Sequence, residues 1–244
     1  MYEAMTASVT ASLPASVPVS ESAYGFTQTD IEGQALFSLP FGDIVNFLTP
    51  YTAVLFVFAL TFTIIALISK PERQVDTVMG GDAYYTKDIS RETLRFQRFM
   101  AIACGLATMG GIMAGDVFNF TLFTAFIGIT NIGIVAAVKN KHILDNAFEY
   151  GLLAMIGTLP LFVGAALVLA TTGTLSMWIL FTPEVAVPLF AKLLLIIGVI
   201  AEGMAPVFVA KAEITRAPGA PYILMVHVSS LLIFLRVIEI VISM

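Results

Sequence analysis

Six ionisable side chains lie inside apolar stretches of this 244-residue chain: Glu149, Lys192, Glu202, His227, Arg236 and Glu239. In hydrocarbon such groups are expensive, and each calls for a partner, a proton or water. Carboxylates, a lysine and a histidine placed in sequence can pass protons or tune the occupancy of a small cation, because a charge moved at one site shifts the pKa of the next. A histidine, with an ordinary pKa near 6.5, suits a proton relay. Each residue also has a plainer reading. Asn146 and Glu149 have capping-box spacing and could simply start a helix. Arg236 and Glu239 are three apart and can pair locally on one helix, or Arg236 can snorkel to the interface. Lys192 is long enough to snorkel in part, and His227 can merely hydrogen-bond between helices.

Glu202 is harder to explain away. It stands in "IIGVIAEGMAPVFVA", residues 196–210, followed by Gly203 and Pro206. Pro206 lacks an N–H and clashes with the carbonyl four residues back, at Glu202 itself, and Gly203 adds local freedom. A broken backbone at membrane depth is tolerated where protein buries it or water lines it. The expectation is a discontinuous helix with Glu202 at the break; the plainer alternative is a proline kink packed against neighbours.

The elements that must hold these residues are transmembrane helices. Hydrophobic residues make up 58% of the chain and charged ones only 12%; mean hydropathy is +0.93. Soluble domains carry about a quarter charged residues. Six apolar runs approach the roughly 20 residues that cross a bilayer: Phe47–Ser69, Phe99–Gly115, Val117–Val138, Ala147–Ala170, Val185–Val209 and Tyr222–Ser243. The second and third are divided by Asp116 alone and should form a tight hairpin. The predicted fold class is therefore an all-α integral membrane protein of six transmembrane helices, occupying residues 43–244, with the fifth helix broken.

Basic residues sort cleanly on this threading. Of the twelve Lys and Arg, all but Lys192 and Arg236 fall in the stretches 70–98, 139–145 and 210–221, on one side. The positive-inside rule places that side in the cytoplasm of a multi-pass protein of the cell membrane, with both termini outside. Residues 1–42 lack the basic start and apolar centre of a signal peptide. Their Ser, Thr, Ala and Pro content predicts an extended outward-facing segment that would be disordered on its own; the expectation is that a neighbouring subunit's outer surface holds it. The single cysteine, Cys104, excludes an internal disulfide and a clustered-thiolate metal site, so any redox centre belongs to a partner. No Walker loop, H-E-x-x-H or G-x-S-x-G is present, and nothing points to nucleic acid.

Four stretches carry a family resemblance. "GDVFNFTLFTAFIGITNIGIVAAVK", 115–139, resembles the "DLFNFYVFFEL" helix of the antiporter-like membrane subunits found in respiratory complex I, Mrp antiporters and membrane-bound hydrogenases. "AFEYGLLAMIGTLPLFVGAALVLATTGTLSM", 147–177, is similar to the family's next helix. Residues 198–221 resemble its broken helix, and "HVSSLLIFLR" resembles its "KxGxYxLLR" stretch. The resemblance implies one helix plus a single five-helix antiporter-like repeat, where the full family has two inverted repeats. The closest likeness is to the short antiporter-like subunit of the Eha-type energy-converting nickel–iron hydrogenases of methanogens. It implies H+ or Na+ translocation coupled to redox chemistry in cytoplasmic partner subunits that hold a nickel–iron centre and iron–sulfur clusters, with no cofactor in this chain.

The resemblance also shows departures. The family glutamate after "DLFN" falls at Ala125, the lysine of the next helix at Glu149, that of the broken helix at Glu202, and the last lysine or histidine near His227. Lys192 would have to supply the positive member. The alternative implied by these departures is a structural subunit that has lost transport and only builds the membrane arm.

Overall fold

The computed structural model describes residues 35–41, 44–69, 90–137, 141–203 and 220–244. A short antiparallel hairpin, β1 (Phe37–Phe41) and β2 (Ile44–Leu48), precedes seven helices among the described residues: α1 (Pro50–Ile68), α2 (Arg91–Met113), α3 (Val117–Ala136), α4 (Lys141–Thr172), α5 (Met177–Leu180), α6 (Leu189–Gly203) and α7 (Ala220–Ser243). Five of them, α1, α2, α3, α4 and α7, are long and apolar enough to cross a membrane. The expected all-α membrane architecture is what is observed. α6 is described over 15 residues, about 22 Å of helix at 1.5 Å per residue. Pro206, and the break expected there, lie outside the described residues, as does the segment 1–34.

The sequence reading misses several boundaries. Phe47 belongs to β2, and the first helix begins at Pro50. Thr49 caps it: its hydroxyl accepts from Thr52 N–H at 3.2 Å, and Thr52 Oγ1 accepts from Thr49 N–H at 2.7 Å, a reciprocal box with proline at the first helical position. α2 starts at Arg91, capped by Ser90, so Arg91, Arg95 and Arg98 ride on the helix and not in a loop. α4 starts at Lys141, which puts Asn146 and Glu149 inside the helix and rules out the capping-box role for that pair. α6 starts at Leu189 rather than Val185, and α5 was not anticipated.

Between α2 and α3 only Ala114, Gly115 and Asp116 intervene. Asp116 caps α3 by accepting from Asn119 N–H at 2.7 Å, and Asn119 Nδ2 also donates to its carboxylate. This corner is tied to the rest of the chain. Gly115 N–H donates to Asn46 Oδ1 of β2 at 2.9 Å, and Gly115 O accepts from Met177 N–H at 2.8 Å. Asp116 and Ser176 form a β-bridge. α4 ends at Gly173, whose φ of +73° suits a residue without a Cβ. With no water in a bilayer core, hydroxyls inside a span must be satisfied by the protein; Thr63, Thr108, Thr121, Thr124, Thr130, Ser229 and Ser230 all donate to carbonyls of their own helix.

The α4 and α6 helices pack most closely because glycines remove side chains at the crossing. A Cβ on Gly157 would lie 2.7 Å from the backbone nitrogen of Glu202, and one on Gly198 would lie 2.8 Å from that of Leu161. Small residues let backbones approach closely in membranes, where no hydrophobic force drives association. Replacing Gly157 with Val should force the helices apart. Overpacking of this kind costs about 1–3 kcal/mol, and a thermal melt of the purified protein in detergent should show a lowered midpoint; an unchanged midpoint would mean that the crossing is not tight.

Candidate functional site

Glu202 is buried, with 5% of its surface exposed. On insertion scales an acidic residue at mid-membrane costs about 2.5–3.5 kcal/mol, so its surroundings decide whether it is tolerated. Its carboxylate enters a gap between four helices. The gap is lined by Thr124, Ile127 and Asn131 from α3, Tyr150 from α4, Val199 from α6, and Ser230 and Ile233 from α7. It encloses a cavity of about 10 Å³, the room that about one water needs.

Local sequence explains each placement. Gly157 lets the α6 backbone descend onto α4 at residue 202. Gly128 of α3 then leaves space for the head group: a Cβ there would stand 2.5 Å from Glu202 Oε1. Thr124, Gly128 and Asn131 are three or four residues apart and share one face of α3. From that face Asn131 Nδ2 donates to the Tyr150 hydroxyl at 3.3 Å. Its Oδ1 accepts from the Cys104 thiol of α2, also at 3.3 Å. Cys104, Asn131, Tyr150 and the cavity at Glu202 thus form a polar line across four helices, in the middle of an otherwise apolar core.

A second polar centre sits at the end of the bundle that carries the hairpin. Arg236, fully buried, pairs with Glu239 at 2.5 Å. Arg236 Nη2 donates to Ala114 O at 3.3 Å and reaches Met177 Sδ at 3.6 Å, while its guanidinium lies 5.5 Å from the centre of the Phe47 ring. Glu239 Oε1 accepts from Thr49 Oγ1 at 3.1 Å. Phe47 in turn meets Trp178 and Phe181 edge-on at 5.7 and 6.0 Å. Five elements converge on one ion pair. The local pairing expected from the spacing is observed, but the arginine points into protein and does not snorkel.

The remaining residues expected to act with these are dispersed. Glu149 is exposed on α4, and Lys192 is half-buried ten residues before Glu202 on α6, about 15 Å away along the helix. His227 is half-buried on α7; Ser230, one turn on, lines the cavity and His227 does not. Gly203 ends the described part of α6. Sequence reasoning missed Tyr150, Asn131 and Gly128. Asn131 is the one amide in the middle of the third apolar run, Asn119 standing at its start, and its spacing from Gly128 and Thr124 was the available clue. Among the described residues, no three His, Cys, Asp or Glu side chains gather as a metal site.

Residues 27–244 match the family described as NADH dehydrogenase I, subunit N related protein. An uncharacterized protein of Methanocaldococcus jannaschii is 43% identical to this chain over 215 residues, which covers 87% of this chain and 98% of that protein.

The buried pair makes a direct prediction. Removing one partner of a buried ion pair strands the other and costs about 3–5 kcal/mol. Arg236→Met should therefore depress the melting midpoint strongly, and the double change Arg236→Met with Glu239→Gln should recover a large part of the loss. A double variant as unstable as the sum of the singles would show that the two side chains act independently.

Proposed function

The chain belongs to the family of proteins related to subunit N of NADH dehydrogenase I, and on that premise we propose that Glu202 is the residue through which it contributes to H+ or Na+ translocation. Membership makes the protein a multi-pass membrane subunit of a complex I-like ion-translocating assembly. Our reading goes further. The assembly is an energy-converting hydrogenase, with the nickel–iron centre and iron–sulfur clusters in cytoplasmic subunits and no cofactor here. The short antiporter-like pattern and the relative in a methanogen support that assignment.

The observation that carries the transport reading is the burial of one carboxylate against Tyr150, Asn131, Thr124 and Ser230 around a cavity of water size. A buried acid with room for about one water beside it is placed to exchange a proton or a cation. Along α7, His227 lies three residues before Ser230 and is its neighbour on the helix surface. In this reading His227 continues the pathway toward the basic, cytoplasmic side. Arg236 and Glu239 close the opposite, outward end. Lys192 and Glu149 adjust the field from outside the cavity.

A structural subunit without transport is the second reading, and one observation favours it: Glu149, at a family lysine position, faces away from the site. The two readings part on Glu202→Gln, which preserves shape and removes charge. In vesicles containing the intact complex, this change should reduce coupled ion transport at least severalfold while subunit composition stays the same. Undiminished transport would take Glu202 out of the mechanism and leave the structural reading.

A further inference from the structure

The outer faces of the bundle differ in chemistry. On α1 the exposed side chains include Val54, Phe58, Ile64 and Ile68, and the helix holds no charged residue. The exposed hydroxyl of Thr61 is spent on Val57 O of the same helix at 2.8 Å. Such a face suits hydrocarbon. α4 carries a longer apolar face, with Phe148, Leu152, Met155, Ile156, Leu159 and Val163 all exposed at steps of one to four residues. Two of its features do not suit lipid.

The first is charge. Asp145 and Glu149, one turn apart, are both exposed. α4 runs beside α3 in the opposite sense: a Cβ on Gly151 would stand 3.0 Å from the Ile132 side chain. Glu149 therefore lies near the level of Ile134, just inside the end of α3 at Ala136. Gln97 of α2 donates to Ile134 O at 3.1 Å, so this is also the end that carries Arg91, Arg95 and Arg98. Membrane helices of any subunit collect Lys and Arg at their cytoplasmic end, whereas the headgroups of that leaflet are negative on balance and repel two carboxylates. The second feature is backbone. Pro160 has no N–H to return to the carbonyl of Ile156, which lies about 10 Å deeper than Glu149 at 1.5 Å per residue. The nearby Thr158 hydroxyl goes to Met155 O at 2.7 Å. A neighbouring helix can supply such a missing donor in a membrane; lipid tails cannot.

We propose that the outer face of α4 is the docking surface for a transmembrane helix of a different subunit of the assembly. That helix brings a Lys or Arg to Asp145 and Glu149 and, two turns deeper, a side-chain hydrogen-bond donor to Ile156 O. Met155, exposed between the two contacts, is a flexible apolar side chain that adapts to a partner's surface. A second copy of this chain suits the face less well, because α4 against α4 in one membrane orientation would set acids against acids. The proposal rests on membership of a complex I-like assembly and is independent of the transport role of Glu202.

The test uses the intact complex in its own membrane, with the photoreactive residue p-benzoylphenylalanine in place of Leu152 or Leu159, and mass spectrometry of the crosslinked peptides after purification. Both positions should link to one transmembrane segment of another subunit, with a Lys or Arg near the end that meets Glu149. In a second measurement, the charge reversal Asp145→Lys with Glu149→Lys should lower the amount of that subunit retained through detergent purification severalfold. Lipid adducts alone at both positions, a link to a second copy of this chain, or a linked segment without a basic residue at that end would each overturn the proposal. Full retention in the charge-reversed complex would do so as well. None of these outcomes touches Glu202, whose transport role is judged separately by the activity of Glu202→Gln.

Discussion

A carboxylate kept out of water in the middle of a membrane bundle constrains everything packed around it. Glu202 has only 5% of its surface exposed, and nothing in a hydrocarbon environment replaces lost hydration unless protein supplies it. Gly157 brings the α6 backbone onto α4 and Gly128 makes room for the acid itself. The threonines and serines of the surrounding helices give their hydrogens to their own carbonyls, so they add polarity to the gap without competing for a proton. The outcome is a cavity with room for about one water, walled mostly by apolar surface.

The second polar centre has a different physical character. Arg236 and Glu239 neutralise one another, and their other contacts go to backbone, sulfur, an aromatic face and a threonine. That pair joins β2, the corner between α2 and α3, α5 and the start of α1. Six residues of α7 separate Ser230 from Arg236, about 9 Å of helix, so one helix contributes to both centres. In the function proposed above, the first serves the ion path and the second closes its hairpin end.

Much of this was legible in the sequence. Composition and run length marked the membrane class, because bilayer thickness sets helix length independently of tertiary detail. The cost of burying charge singled out six ionisable residues; of these Glu202, Arg236 and Glu239 are buried, as is Asp116 at the α2–α3 corner, while Glu149 is exposed and Lys192 and His227 are half-buried. The hairpin β1–β2 was not foreseen: Phe47 and Leu48 are as apolar as a helix, and only Pro50 together with the Thr49–Thr52 cap marks where helix begins. Burial of Glu149 was expected from its position in an apolar run, yet periodicity decides which face of α4 it occupies, and that face is exposed. Tyr150 and Asn131 escaped notice because neither is charged. Their importance arises from pairing across helices, and a single sequence does not reveal which helices touch.

The central claim is that the charge on Glu202 depends on what occupies the cavity beside it. Infrared difference spectroscopy of the membrane-embedded complex, with Glu202→Gln as the subtraction standard, measures that charge directly. The account predicts that the Glu202 signal interconverts between carboxylate and protonated carboxyl as pH or sodium concentration is changed. A Glu202 signal that stays the same under all of these conditions contradicts it.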